Sequence, residues 1–94
     1  MTRITDKDLQ AVTDMLNRMT GNPAAPYLPP VDGKAQPQGG CYHLSHAYGG
    51  VALHQMAATG TGIHDTFSRG HMPKRELYEL MHAFQRGYNL RGAA

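Results

Sequence analysis

Near the N-terminus, apolar side chains recur with helical spacing. Leu9, Val12, Leu16 and Met19 lie 3, 4 and 3 positions apart and share one face. The flanking residues agree with a helix over about residues 6–20. Thr5 is an N-cap residue with Asp8 at the third helical position, and Ile4 and Leu9 can close a hydrophobic staple. Asp6 and Asp8 in the first turn and Arg18 in the last suit the helix dipole. Gly21 fits a left-handed C′ position, and Pro23 forbids continuation.

The periodicity breaks over residues 22–40, NPAAPYLPPVDGKAQPQGG, which hold five of the six prolines and three glycines. Proline lacks the N–H that a long helix or a central strand requires. The segment therefore reads as a meandering loop in which Tyr27, Leu28 and Val31 pin the chain to the core. Its PxxP spacings match polyproline ligands, but such spacings arise readily by chance.

A period of two follows. With Gly49-Gly50 as a two-residue turn, strands are predicted at about 41–48 and 51–58. Tyr42, Leu44, His46, Tyr48, Val51, Leu53, Gln55 and Ala57 then share one face, the better core face. Cys41, His43, Ser45, Ala47, Ala52, His54, Met56 and Ala58 share the other. The alternative for 51–58 is a helix, since VALHQMAA has few β-branched residues. TGTGIHDTF, residues 59–67, predicts a turn and a short third strand with Ile63 and Phe67 on one side. Pro73 suits the first position of a helix over 73–86. Leu77, Leu80, Met81 and Phe84 repeat at i, i+3, i+4 and i+7, Gly87 is the stop, and Tyr88 and Leu90 fold back. The expected order is α-loop-β-β-β-α. That is one α+β domain, a small three-stranded antiparallel sheet with two helices packed on one face.

Composition narrows the setting. Ninety-four residues suffice for one domain with a modest core. One cysteine allows no internal disulfide and suits a reducing compartment. No apolar run is long enough to span a bilayer, and the charged start MTRITDKDLQ lacks a signal-peptide core, so neither membrane insertion nor secretion is expected. Charge is uneven: residues 1–68 carry four Lys/Arg against five Asp/Glu, and residues 69–94 carry five against two. That basic end permits an anionic partner without requiring one.

The chemistry-bearing residues do not assemble into a known constellation. His43 and His54 share a face with Cys41, but no CxxC, HxxxH or HExxH spacing accompanies them, so no metal and no other cofactor is expected. A nucleophile built on Cys41 or Ser45 with a histidine has no elbow motif around it. Carboxylates are sparse between Asp32 and Glu76, which leaves no acid pair. An enzyme is not expected. On the last helix Lys74, Tyr78, His82 and Gln85/Arg86 form a stripe opposite the apolar one, with Arg69 and His71 before it. Together with Arg75 and Tyr48, Arg69, Lys74, Tyr78, His82 and Arg86 are the candidate binding residues. Cations near a helix N-terminus could hold a phosphate, although nucleic-acid modules are usually more basic. Aromatic, Met and Arg side chains are also what protein interfaces enrich.

The segments TGNP (Thr20–Pro23), AYGGV (Ala47–Val51, with Tyr42 and Leu44 before it) and KRELY (Lys74–Tyr78) carry a resemblance. It covers about residues 5–90. The chain resembles a family of small, functionally unassigned proteins of tailed phages and prophages. Cys41 and several histidines depart from that pattern. The resemblance implies a phage accessory protein in the host bacterial cytoplasm that binds and modulates a host protein or complex, such as a defence complex. Nucleic-acid binding through the basic helix is the alternative partner class.

Overall fold

The computed structural model describes residues 3–59 and 62–93, with side chains placed through Leu90. Gly60 and Thr61, in the turn predicted before the third strand, lie outside the described residues. The chain runs α1 (Asp6–Thr20), β1 (Tyr27–Val31), β2 (Lys34–Pro37), β3 (Tyr42–Ala47), β4 (Gly50–Met56), β5 (Ile63–Asp65) and α2 (Lys74–Ala93). It is an α+β fold with a three-stranded antiparallel sheet, β3-β4-β5, and a separate two-stranded ribbon, β1-β2.

α1 begins and ends where its sequence says. Thr5 Oγ1 accepts from the Asp8 amide at 3.2 Å, and Asp8 Oδ2 accepts from the Thr5 amide at 2.9 Å, a complete capping box. Gly21 closes the helix at φ 71°, its amide reaching back to Arg18 O. Leu9, Val12 and Leu16 are buried. They meet Tyr42, Val51 and Leu53 of the sheet and Leu77 and Met81 of α2, so both helices cover one face. Residues 51–58 are therefore strand over Val51–Met56, not helix.

The main hairpin differs from expectation by a shift of two in register. Ala47 pairs with Gly50, so the turn is Tyr48-Gly49 and the strands shorten to Tyr42–Ala47 and Gly50–Met56. Both turn residues have positive φ, 55° and 74°, as a type I′ turn requires. Because side chains alternate with period two, an even shift leaves the residues paired in both strands on their expected faces, whereas Tyr48, expected on the core face, is in the turn and exposed. Gly50 is needed for a different reason: the Met72 backbone passes so close that a Cβ would lie 3.0 Å from its N and O.

Three further expectations are corrected. Residues 22–40 include the β1-β2 ribbon, and Tyr27, Leu28 and Val31 lie half-exposed on it rather than pinned to the core. α2 passes through Gly87 to Ala93, so Gly87 is no stop and Tyr88 and Leu90 do not fold back; Leu90 is exposed. Single glycines lower helix stability by only about 1 kcal/mol, less than the preceding turns supply through Leu77 and Met81. Ile63 and Phe67 separate: Ile63 is exposed on β5, whereas Phe67 packs on the core and meets Phe84 edge to face at 6.2 Å, as Tyr42 does at 5.8 Å.

Candidate functional site

The basic stripe of α2 occupies a different place from the one its spacing suggested. Residues seven apart on a helix lie within about 20° of one side, so Lys74 stands beside buried Met81 and the stripe borders the core face instead of opposing it. It lies along the seam with α1. Lys74 Nζ pairs with Asp6 Oδ1 at 3.2 Å, and Gln85 Nε2 donates to Met15 Sδ at 3.3 Å. Tyr78 packs on the core cluster and its ring meets His82 at 4.4 Å, while His82 Nε2 is buried without a hydrogen-bond partner. Arg69 pairs loosely with Glu76 at 3.9 Å. Arg75 and Arg86 are exposed on α2. Asp6 also accepts from His46 at 3.3 Å, and these two partners, Lys74 foremost, hold its carboxyl below the usual range. Two of the cations considered for an anionic partner are thus already engaged with carboxylates of this chain.

Tyr48 stands apart from that stripe, at the tip of the β3-β4 hairpin. It is 98% exposed in a left-handed conformation that disfavours an aromatic side chain. Its ring touches only the edge of His71 at 5.7 Å among the described ring contacts.

The face of the sheet away from the helices gathers polar groups from three strands and a connection. His43 on β3 lies opposite His54 on β4, which lies opposite Asp65 on β5. Ser45 lies opposite small, buried Ala52, and His71 reaches Ser45 so that Oγ and Nε2 are hydrogen-bonded at 3.0 Å. The His43 and His54 rings meet edge to face at 5.9 Å, and those of His54 and His71 at 5.8 Å. Burial, with a smaller contribution from His54, lowers the His43 pKa below the usual histidine value. His43 Nδ1 and Asp65 Oδ1 are buried without partners, and Asp65 Oδ2 accepts from the Gly70 amide at 2.7 Å. No group of three or more His, Cys, Asp or Glu among the described residues is arranged to hold a metal ion. Cys41 is fully buried, its thiol pushed up by desolvation and donating to Tyr42 O at 3.3 Å. A thiol so held has little thiolate to offer as a nucleophile.

The ribbon is the feature that sequence reasoning missed. β1 and β2 pack on each other and make no extensive contact with any other element. Its base is closed by Gln38 donating to Pro26 O at 2.7 Å and to Ala25 O at 2.9 Å. Its tip is Asp32-Gly33, both at positive φ. Asp-Gly between Val31 and Lys34 is a strong hairpin signal, and the surrounding prolines masked it. Tyr27, Leu28 and Val31 are 49%, 52% and 57% exposed. Pro29 and Pro30 remove two donors from β1 and make it a poor template for a further strand, and the side chains are what it presents. A shallow depression of about 270 Å³ on α2, lined by Ala83, Phe84, Gly87 and Tyr88, is open and mainly apolar.

No helix among the described residues is long and apolar enough to cross a membrane. Compared with known protein families, with curated proteins and with solved structures, the chain matches none.

Proposed function

We propose that this protein is a non-enzymatic binding protein that docks on another protein through the β1-β2 ribbon, with Tyr48 as a second anchor. The observation that carries the reading is the ribbon itself: Tyr27, Leu28 and Val31 are apolar, exposed and unsupported by the body of the fold. Folding gains little from such residues, whereas a partner with an apolar cleft gains their burial, about 25 cal/mol per Å². The prolines favour insertion of side chains over strand addition. On the likeness to small tailed-phage proteins, the partner is a macromolecule of the bacterial host, such as a defence complex, and the setting is the host cytoplasm. Pairing of Lys74 and Arg69 with carboxylates weighs against the nucleic-acid alternative.

The test is affinity capture from host lysate, with and without nuclease, using wild type and the double variant Tyr27→Ser/Leu28→Asp. A stoichiometric protein that survives nuclease and is lost with the variant is the expected result. Equal capture by both proteins overturns the role of the ribbon. Polynucleotide captured alone, with affinity falling steeply as salt rises, moves the contact to Arg75 and Arg86 of α2. A second copy of this chain as the only ribbon-dependent partner makes the ribbon a dimer contact and rejects the host partner.

A further inference from the structure

The histidine face shares no residue with the ribbon and has a property independent of any docking. His71 belongs to the connection between β5 and α2, which leaves β5 through the Thr66 amide on Leu53 O at 2.9 Å and is attached again to the edge of β4, beside His71, by a bridge at Met72. Val51 donates to Met72 O and Met72 donates to Val51 O, both at 2.9 Å. The side-chain half of that attachment is His71 on Ser45. Met72 is itself buried in the core, so this connection carries part of the core to the sheet.

We propose that His43, His54 and His71 form a proton-operated latch that holds the β5-α2 connection on the sheet when neutral and releases it when protonated. Neutral imidazoles pack edge to face at 5.8 and 5.9 Å. The groups facing the row set how many protons it tolerates. Asp65 on β5 flanks His54, Tyr48 flanks His71, and Arg69 adds a positive charge within the connection, opposed by Glu76. Asp65, the one carboxylate on this face among the described residues, balances one protonated ring with the charge that its bond to the Gly70 amide leaves available. A second proton places like charges on neighbouring rings beside half-buried His43, whose Nδ1 has no partner. His43 cannot move without breaking β3, and His54 cannot move without breaking β4. His71 sits outside the ladder and is the member that leaves. The direction follows from linkage. A histidine whose folded pKa is depressed favours the closed form above its ordinary value of about 6.5, and that preference is lost as pH falls below it.

Hydrogen exchange of single amides, corrected for intrinsic rates, tests the latch at about pH 7.5 and about pH 5.5, on either side of the ordinary histidine value. Protection at Val51 and Met72 is expected to fall about tenfold or more at the lower pH, clearly more than at the interior amides of α1, which follow only the smaller global loss. His54→Gln should flatten the response, and His64→Gln, on the exposed part of β5, should leave it intact. His71→Asn reads the same question if His54→Gln does not fold. Equal protection at both pH values overturns the latch, as does a response that persists without His54 or His71. A loss in α1 as large as that at Val51 and Met72 also overturns it, because that is global unfolding.

Discussion

Asn17 sits on α1, 2% exposed, where its composition would place it in solvent. Its side chain answers the backbone of Tyr42 twice: Nδ2 donates to Tyr42 O at 2.9 Å and Oδ1 accepts from the Tyr42 amide at 2.7 Å. It acts as a one-residue neighbouring strand at the open edge of β3. Asn17→Ala should cost roughly 2–4 kcal/mol, two buried backbone groups losing their partners, read as the change in urea unfolding free energy. A cost under about 1 kcal/mol would mean that water replaces the amide. Tyr48 makes the opposite prediction. Tyr48→Asn should stabilise the fold by about 1 kcal/mol in the same assay, since asparagine tolerates the left-handed conformation far better. If it also abolishes partner capture, the strain at the tip is maintained for binding. Neither role was legible from spacing. Asn17 looks like any polar helix residue until β3 is laid beside it, and Gly49-Gly50 is the more obvious turn in the sequence, which puts Tyr48 in a strand.

At the scale of elements, the ribbon is separable from the body. Its ends already meet through Gln38 and Pro26, so residues 27–37 can be replaced by a short glycine linker. The remaining protein should unfold cooperatively within about 1 kcal/mol of wild type, because closing a loop of similar length changes little entropy. A loss of several kcal/mol would show that Tyr27, Leu28 or Val31 belongs to the core. α2 gives the contrasting case. Leu77 is fully buried, and Leu77→Ala should cost about 2–5 kcal/mol, whereas half-buried Leu80→Ala should cost clearly less. Equal costs would rotate the helix. The apolar repeat alone marks Leu77, Leu80, Met81 and Phe84 as one set. Only packing ranks them, because the buried arc is centred between Leu77 and Met81 and has Lys74 and Tyr78 on its flank.

For the whole molecule, titration should narrow stability from both sides. His43 is depressed by burial, so its contribution is complete above about pH 6.5 and lost as pH falls below that value. Asp6 and Asp8 are depressed by Lys74 and by the Thr5 cap respectively, so theirs persists to lower pH and is lost as pH falls through the folded values, below about 4. Cys41 and Tyr42 are raised by desolvation and work in the other direction, with stability lost as pH climbs above about 8.5 to 10. Thermal melts should therefore show two acid steps and one alkaline decline, and His43→Asn should remove the upper acid step alone. A single acid step near pH 4 would assign all acid sensitivity to the carboxylates. The outline of the molecule also reflects the ribbon that stands off its body. Its radius of gyration is 13.9 Å, where a compact chain of this length gives about 12 Å.

The sequence by itself determined α1 from cap to cap, the inward and outward faces of β3 and β4, and the α+β class. Each of these rests on local rules: a capping box, a left-handed glycine, and periods of 3.6 and 2. An alternation survives a shift of two, which is why the faces were right although the turn was not. Only the tertiary structure decided that α2 runs through Gly87, that Lys74 meets Asp6 along the α1 seam, and that the proline-rich segment stands out as a ribbon. It also decided that His71 joins His43 and His54. These are meetings between residues distant in the chain, and they depend on which surfaces remain after the core has closed. Glycine and proline report the local cost of a conformation. What outweighs that cost, or leaves apolar side chains uncovered, is set by neighbours that the linear order does not name.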